Sequence, residues 1–259
     1  MERKVALITG ASSGIGLALA ECFARDGHDV VLSARRVDKL QALALQLESR
    51  HGIRAMVVPA DLQDAAGAQQ LHAAVRQRGL RLNALVNNAG FGCFGEFKDT
   101  PLEPQLQMMQ LNMGSLVALS HLFLPDLLAT RGQLLNVAST AAFQPGPYMS
   151  VYFASKAFVL SFSEALAAEL SGQGLTVTAL CPGATVSGFM DKAAMQSSAL
   201  FKGRRLPSSE EVARAGYRAL QRGQRVYVHG LLNKLMVQSL RISPRRAVVA
   251  VTRWVTRPV

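Results

Sequence analysis

Six short apolar runs, separated by five longer stretches of helical periodicity, constrain this 259-residue chain more than any other feature in it. The runs are KVALIT (4–9), DVVLSA (29–34), IRAMVVP (53–59), NALVNN (83–88), GQLLNVAS (132–139) and LTVTALC (175–181). They are nearly continuous in hydrophobicity, as strands covered on both faces are, and lack the alternation of half-exposed strands. Helical periodicity fills 14–26, 37–51, 64–79, 103–130 and 151–171. Strand–helix–strand repetition implies an α/β, doubly wound parallel sheet with right-handed crossovers and helices on both faces. A seventh run, RVYVH (225–229), completes about seven strands, and without a linker or repeat the chain reads as a single domain over 1–259. In such sheets ligands bind beyond the carboxyl ends of the strands, so chemically active residues should follow strands.

Composition narrows the setting. No apolar run reaches the roughly 18 residues of a membrane-spanning helix, and KVALITG reads as a strand entering a turn, not as a signal peptide. Cys22, Cys93 and Cys181 are isolated, which argues against a disulfide framework or metal site and for a reducing, cytoplasmic setting. Charge is unevenly placed: residues 1–201 carry 15 basic and 15 acidic side chains, whereas 202–259 carry 13 basic ones against Glu210 and Glu211. The net charge of +11 is therefore C-terminal, and an acidic or phosphate-bearing partner should meet that end.

The first strand runs into TGASSGIGLALA, with Gly10, Gly14 and Gly16 spaced G-x-x-x-G-x-G. Gly10 is assigned to the turn, Gly14 to backbone approach toward a pyrophosphate, and Gly16 to helix–strand packing. The helix N-terminus then presents free N–H groups to the anion. A tight strand-to-helix turn without a ligand is the alternative. The second strand ends in Ala34, Arg35 and Arg36, where a cofactor lacking a 2′-phosphate usually meets a carboxylate. Guanidinium forks suit a phosphate, so these two residues point to NADP(H) over NAD(H); the competing reading is the solvated start of a helix.

Tyr152 and Lys156, in VYFASKAFV (151–159), sit one helical turn apart on one face. That spacing alone is common. Together with G-x-x-x-G-I-G, NNAG (87–90), Asn112, Ser139 and PG (182–183), however, it resembles the short-chain dehydrogenases/reductases over about residues 4–190. The resemblance implies a single-domain Rossmann-type fold and hydride transfer between nicotinamide and a carbonyl or secondary alcohol. It implies Tyr152 as the acid, Ser139 as a second donor to the substrate oxygen, Lys156 as electrostatic partner and ribose ligand, and Asn112 as a backbone relay to Lys156. A free phenol has a pKa near ~10, and bringing it toward neutrality stabilises phenolate by roughly 4 kcal/mol, which Lys156 and oxidised nicotinamide are expected to supply. By the same resemblance Ser12, Ser13 and Ile15 join the glycine turn around the cofactor. Asn88, Ala89 and Gly90 lie beneath its ribose, Asp61 and Leu62 beside adenine, and Pro182, Gly183, Thr185 and Ser187 beside nicotinamide. Thr185 and Ser187 depart from the family's usual valine and threonine. Asp61 also reads as a helix N-cap. The five histidines, His28, His51, His72, His121 and His229, read as loop or helix-surface residues.

Residues 188–206 read as a substrate lid in which Phe189, Met190, Met195, Leu200 and Phe201 precede Lys202, Arg204 and Arg205. An apolar pocket with a basic rim suits an acyl or lipid-like substrate on coenzyme A or an acidic carrier; a solvated basic edge is equally consistent. The segment 231–259 is basic and amphipathic. After Pro244, Arg245, Arg246, Arg253 and Arg257 are expected on one face, with Ala247, Val248, Val251, Trp254 and Val255 on the other. Such a helix lies at an anionic membrane surface, packs on its own domain or meets a partner subunit. Aromatic stacking residues are nearly absent there, which argues against nucleic acid. The resemblance further implies a homodimer or homotetramer built through 103–130 and 151–171. Competing functional readings are a dedicated 3-oxoacyl-thioester or steroid reductase, and a catalytically silent NADP-binding sensor or scaffold.

Overall fold

The computed structural model describes residues 3–186 and 206–257. Seven parallel strands form one sheet in the order β3-β2-β1-β4-β5-β6-β7. They are β1 (Val5–Thr9), β2 (Asp29–Ser33), β3 (Ala55–Val57), β4 (Ala84–Asn87), β5 (Gln133–Val137), β6 (Thr176–Cys181) and β7 (Val226–Val228). Each lies inside one of the runs read from the sequence. This is the doubly wound, Rossmann-type arrangement. The order reverses at β1, which pairs with β2 on one side and β4 on the other, so the crevice for a ligand opens above β1 and β4.

Alternate residues of β1 feed two cores. Ala6 and Ile8 pack with Phe23, Leu40, Leu47, Val212 and Leu220 on one face. Val5 and Leu7 pack with Leu71, Val75, Phe123 and Leu127 on the other. Covering both faces of the sheet is what removes polar alternation from the strands. The covering helices are α1 (Gly14–Arg25), α2 (Val37–His51) and α7 (Ser209–Gln221) on the first face. On the second lie α3 (Gly67–Gln77), α5 (Ser115–Ala129) and α6 (Ser150–Glu169). Helix α7 follows a capping box in which Ser208 accepts from the Glu211 amide and Glu211 accepts from the Ser208 amide.

Three local departures from the sequence reading have physical causes. Helix α3 starts at Gly67, not 64, because the Asp61 and Asp64 carboxylates take the amides of Gln63 and Ala66 and hold 61–66 as turns. Asp61 is therefore not an N-cap of that helix. The stretch 103–130 is not one helix either: α4 (Leu102–Met109) passes through a π-turn (Gln110–Gly114) into α5, and the Ser115 amide reaches back to the Gln110 carbonyl. Helix α8 (Leu231–Leu240) precedes the C-terminal helix α9 (Arg245–Thr256).

By length and composition Leu102–Ala129 and Ser150–Glu169 are apolar enough to cross a membrane, a finding that tracking continuous apolar runs did not anticipate. Both pack on the sheet, and a four-residue polar cluster joins them to it. The Asn87 amide donates to Ser120 Oγ and Asn136 Oδ1, both at 3.0 Å, and the Asn136 amide donates to Ser163 Oγ at 2.9 Å. His28 is buried against Phe23, at 5.3 Å between ring centroids, so it is not the surface residue its sequence position suggests.

Candidate active site

One cleft of about 1140 Å³ runs along the carboxyl edge of the sheet and is lined by residues that follow strands. Gly10, Ser12, Ser13, Gly14 and Ile15 follow β1; Arg35 and Arg36 follow β2; Asp61 and Leu62 follow β3. Asn88, Ala89 and Gly90 follow β4, Ser139 follows β5, Pro182, Gly183 and Thr185 follow β6, and His229 follows β7. Tyr152 and Lys156 enter from α6. Two expected residues lie behind the lining, Gly16 and Asn112. Ser187 and the lid residues Phe189 to Arg205 lie outside the described residues.

At the β1 end, Gly10 and Gly14 have φ of +65° and +59°, the left-handed region that glycine enters without strain. Gly14 is therefore required by backbone conformation. Gly16 is required by space: a Cβ there would run into the Gly10 carbonyl and the Asn88 side chain. Asn88 spends its amide tying β4 to this turn, donating to the Thr9 carbonyl at 2.9 Å and to the Gly10 carbonyl at 3.3 Å. Ser13, which precedes α1, makes no capping hydrogen bond to its amides and instead accepts from Arg36. The Arg36 guanidinium donates to Ser13 Oγ at 2.9 Å and to Ser12 Oγ at 3.0 Å. A cation and two hydroxyls thus converge beside an open helix N-terminus, a favourable setting for anions. Arg35 points elsewhere: it donates to Gln63 at 2.9 Å and stands 3.8 Å from the Asp61 carboxylate, more than half exposed. The two arginines, equivalent in sequence, are not equivalent in space.

At the β5 end, Ser139 closes the strand in extended conformation and its Oγ accepts from the Ala141 amide at 3.1 Å, capping a short 3-10 turn (Thr140–Phe143). The same hydroxyl is hydrogen-bonded to the Tyr152 phenol. Helix α6 brings Lys156 Nζ to 5.9 Å from the Tyr152 ring centroid, and the ammonium donates to the Val137 carbonyl at 2.8 Å. Asn112, on the π-turn, is buried behind Gly90. Its carboxamide accepts from the Phe91 amide and donates to the Phe91 carbonyl and to Ser155 Oγ, bracing α6 from below. Gly90 has no room for a side chain, since a Cβ would stand 2.9 Å from Asn112 Oδ1.

Burial sets the proton affinities here. Desolvation pushes the Tyr152 phenol up to about 12 against the opposing hydrogen bond from Ser139, and desolvation brings the Lys156 ammonium down to about 8. The rise comes from loss of water; the expected lowering by Lys156 together with oxidised nicotinamide concerns the cofactor-bound site. A phenol held this high is a proton donor across the whole neutral range.

The far wall is formed by α8 and α9, through Leu231, Leu232, Met236, Leu240, Val248, Val251 and Val255. Sequence reasoning placed none of α8 here, although the apolar spacing of LLNKLMVQSL was a signal. Asn233 fills the space over Gly183, where a Cβ would stand 2.5 Å from its Nδ2, and donates to the His229 carbonyl at 2.7 Å. Helix α9 packs on its own domain through Val248, Thr252 and Thr256, and the Thr256 hydroxyl donates to the Pro147 carbonyl at 3.0 Å. Of the expected apolar face, Val248 is buried and Val255 half-buried, whereas Val251 and Trp254 are exposed and two threonines are buried. Their hydroxyls bond the carbonyls four residues back, which lets a polar residue face inward.

The chain as a whole is similar to known proteins. A family model described as short chain dehydrogenase matches residues 4–198. The chain is 35% identical over 215 residues to the sulfoacetaldehyde reductase of Chromohalobacter salexigens, covering 80% of this chain and 83% of that one. A short-chain dehydrogenase from Sphingobium yanoikuyae in complex with NADPH aligns with a TM-score of 0.81 at 32% identity, over 94% of this chain and 97% of that one. One from Burkholderia phymatum in complex with NAD aligns at 0.80 with 25% identity, over 100% and 98%. The chain belongs to the short-chain dehydrogenase family of oxidoreductases.

Proposed function

We propose that the protein is an NADP(H)-dependent oxidoreductase that interconverts a carbonyl and a secondary alcohol on an apolar substrate. The observation that carries this reading is one continuous cleft with the Arg36–Ser12–Ser13 cluster at one end and Ser139, Tyr152 and Lys156 at the other. The residues present fit a phosphorylated dinucleotide. Gly10 and Gly14 give the tight turn, α1 offers uncapped amides, and Gly90 and Ala89 keep the floor free of bulk. Arg36, with Ser12 and Ser13, would hold the 2′-phosphate, Asp61 and Leu62 the adenine, and Pro182, Gly183 and Thr185 the nicotinamide. NADPH, when bound, supplies the hydride.

The chain's own groups supply the rest. Ser139 donates a neutral hydrogen bond to the substrate oxygen, and Tyr152 donates the proton as charge develops there. Lys156 holds a positive charge within one helical turn of the phenol and is placed to bond ribose hydroxyls. Asn112 keeps α6 in position through Ser155. A protein that only bound cofactor would have no use for a buried ammonium beside a buried phenol. The apolar wall of α8 and α9 supports a bulky ketone over a small charged aldehyde. The unpaired thiols support a cytoplasmic setting, and the half-exposed apolar faces of α4 and α6, with Phe158 and Phe162 stacked at 6.0 Å, support a homo-oligomer through them.

The test is loss of reduced-nicotinamide absorbance over a panel of bulky ketones, steroids and 3-oxoacyl thioesters, with Tyr152→Phe beside the parent. Turnover should fall about 10²- to 10⁴-fold in the variant while cofactor affinity is retained. Equal turnover in both proteins sinks the assignment of the acid.

A further inference from the structure

The two C-terminal helices that wall the cleft also carry exposed apolar and basic side chains. Leu231, Leu232, Ile242 and Trp254 are 72, 82, 88 and 63% exposed, and Leu231, Leu232 and Val251 both line the cleft and face solvent, so apolar surface forms its rim. Between 231 and 257 lie Lys234, Arg241, Arg245, Arg246, Arg253 and Arg257, all exposed, with no acidic residue among them. Helix α9 docks through Val248, Thr252 and Thr256, which leaves Arg246, Arg253 and Arg257 on one outward stripe. Trp254 sits beside that stripe, with the Arg257 guanidinium 5.2 Å from its ring. A solvent-exposed rim of this kind needs an occupant.

We propose that this face docks on an anionic lipid surface and opens the cleft toward it. Charge complementarity selects the occupant. A second copy across a two-fold axis would oppose the same six cations to themselves. Lipid headgroups neutralise them, each basic side chain near the surface strengthening partitioning about fivefold, while leucine, isoleucine and tryptophan take the interfacial layer. Entry of an apolar ketone from that layer rests on the function proposed above; the docking itself does not.

Trp254 is the only tryptophan in the chain, so its emission reports this face directly. The full chain is titrated with phosphatidylcholine vesicles and with vesicles that also contain phosphatidylglycerol, and then sedimented. The expected result is a blue shift and co-sedimentation with the anionic vesicles alone, reversed by high salt. The double variant Arg245→Gln, Arg246→Gln, outside the cleft lining, should partition at least about tenfold more weakly with unchanged turnover of a water-soluble ketone. No shift and no sedimentation overturns the proposal, as does equal binding to neutral vesicles. So does self-association that shifts the emission without lipid, or capture by an acidic protein but not by vesicles. Vesicle binding by a protein inactive on every ketone would leave the docking standing and remove the reductase reading.

Discussion

Replacing Arg36 by alanine isolates the basis of cofactor choice. Its Nη2 reaches Ser12 Oγ and Ser13 Oγ at 3.0 and 2.9 Å, so the cation is half-buried and already aimed at the proposed 2′-phosphate position. A charge-assisted bond is worth about 1.5–3 kcal/mol. Partial exposure favours the lower half of that range, a rise of about 10- to 50-fold in the NADPH Kd. The NADH Kd should change less than about threefold, since that cofactor carries no 2′-phosphate for Arg36 to hold. Arg35→Ala is the internal control: exposed and shared with Gln63 and Asp61, it should cost no more than about fivefold. Fluorescence titration of both reduced cofactors, at low and high ionic strength, gives all the constants. Salt should narrow the parent's preference as it screens the pair. Equal weakening of NADPH and NADH by Arg36→Ala would make the guanidinium a prop for the serine turn and refute the reasoning. A parent that prefers NADH would refute it outright.

Three further outcomes follow from burial and space. With the Lys156 ammonium at about 8 and the Tyr152 phenol at about 12, kcat/KM for carbonyl reduction should be level below pH 8 and fall above it as the lysine loses its charge. The folded lysine releases its proton before the unfolded one, so stability relative to Lys156→Met should rise between about pH 8 and 10.5, by up to about 3 kcal/mol; denaturant melts with no such rise would contradict the burial. Gly16→Ala forces a methyl group against the Gly10 carbonyl and Asn88, and should lower Tm by about 3–10 °C and weaken both cofactors alike. A normal melt with normal affinities would show that the turn has slack.

The seven strands were legible because burial on both faces leaves a composition that survives without context. Gly10 and Gly14 were legible because only glycine sits easily at their positive φ. The difference between Arg35 and Arg36 was not, since it depends on Asp61 and Gln63, which arrive from another strand. Helix α9 shows the limit of a helical wheel: it groups Trp254 with the valines but does not say which face packs inward, and two threonines, satisfied along their own helix, face the core. The shift of Tyr152 upward was equally hidden, because desolvation is a property of the assembled site.

The π-turn at Gln110–Gly114 holds one residue more than a regular helix would use there. A single-codon deletion within it would let α4 and α5 join as one uninterrupted helix, with a more regular hydrogen-bond ladder. The flanking helices would stay nearly in register, because the turn absorbs its extra residue locally, but the Asn112 carboxamide within it would be re-aimed away from Phe91 and Ser155. Thermal robustness and competence therefore pull in opposite directions at this one position. Lineages selected for heat resistance alone should lose that codon early, and those that must still turn over substrate should keep it.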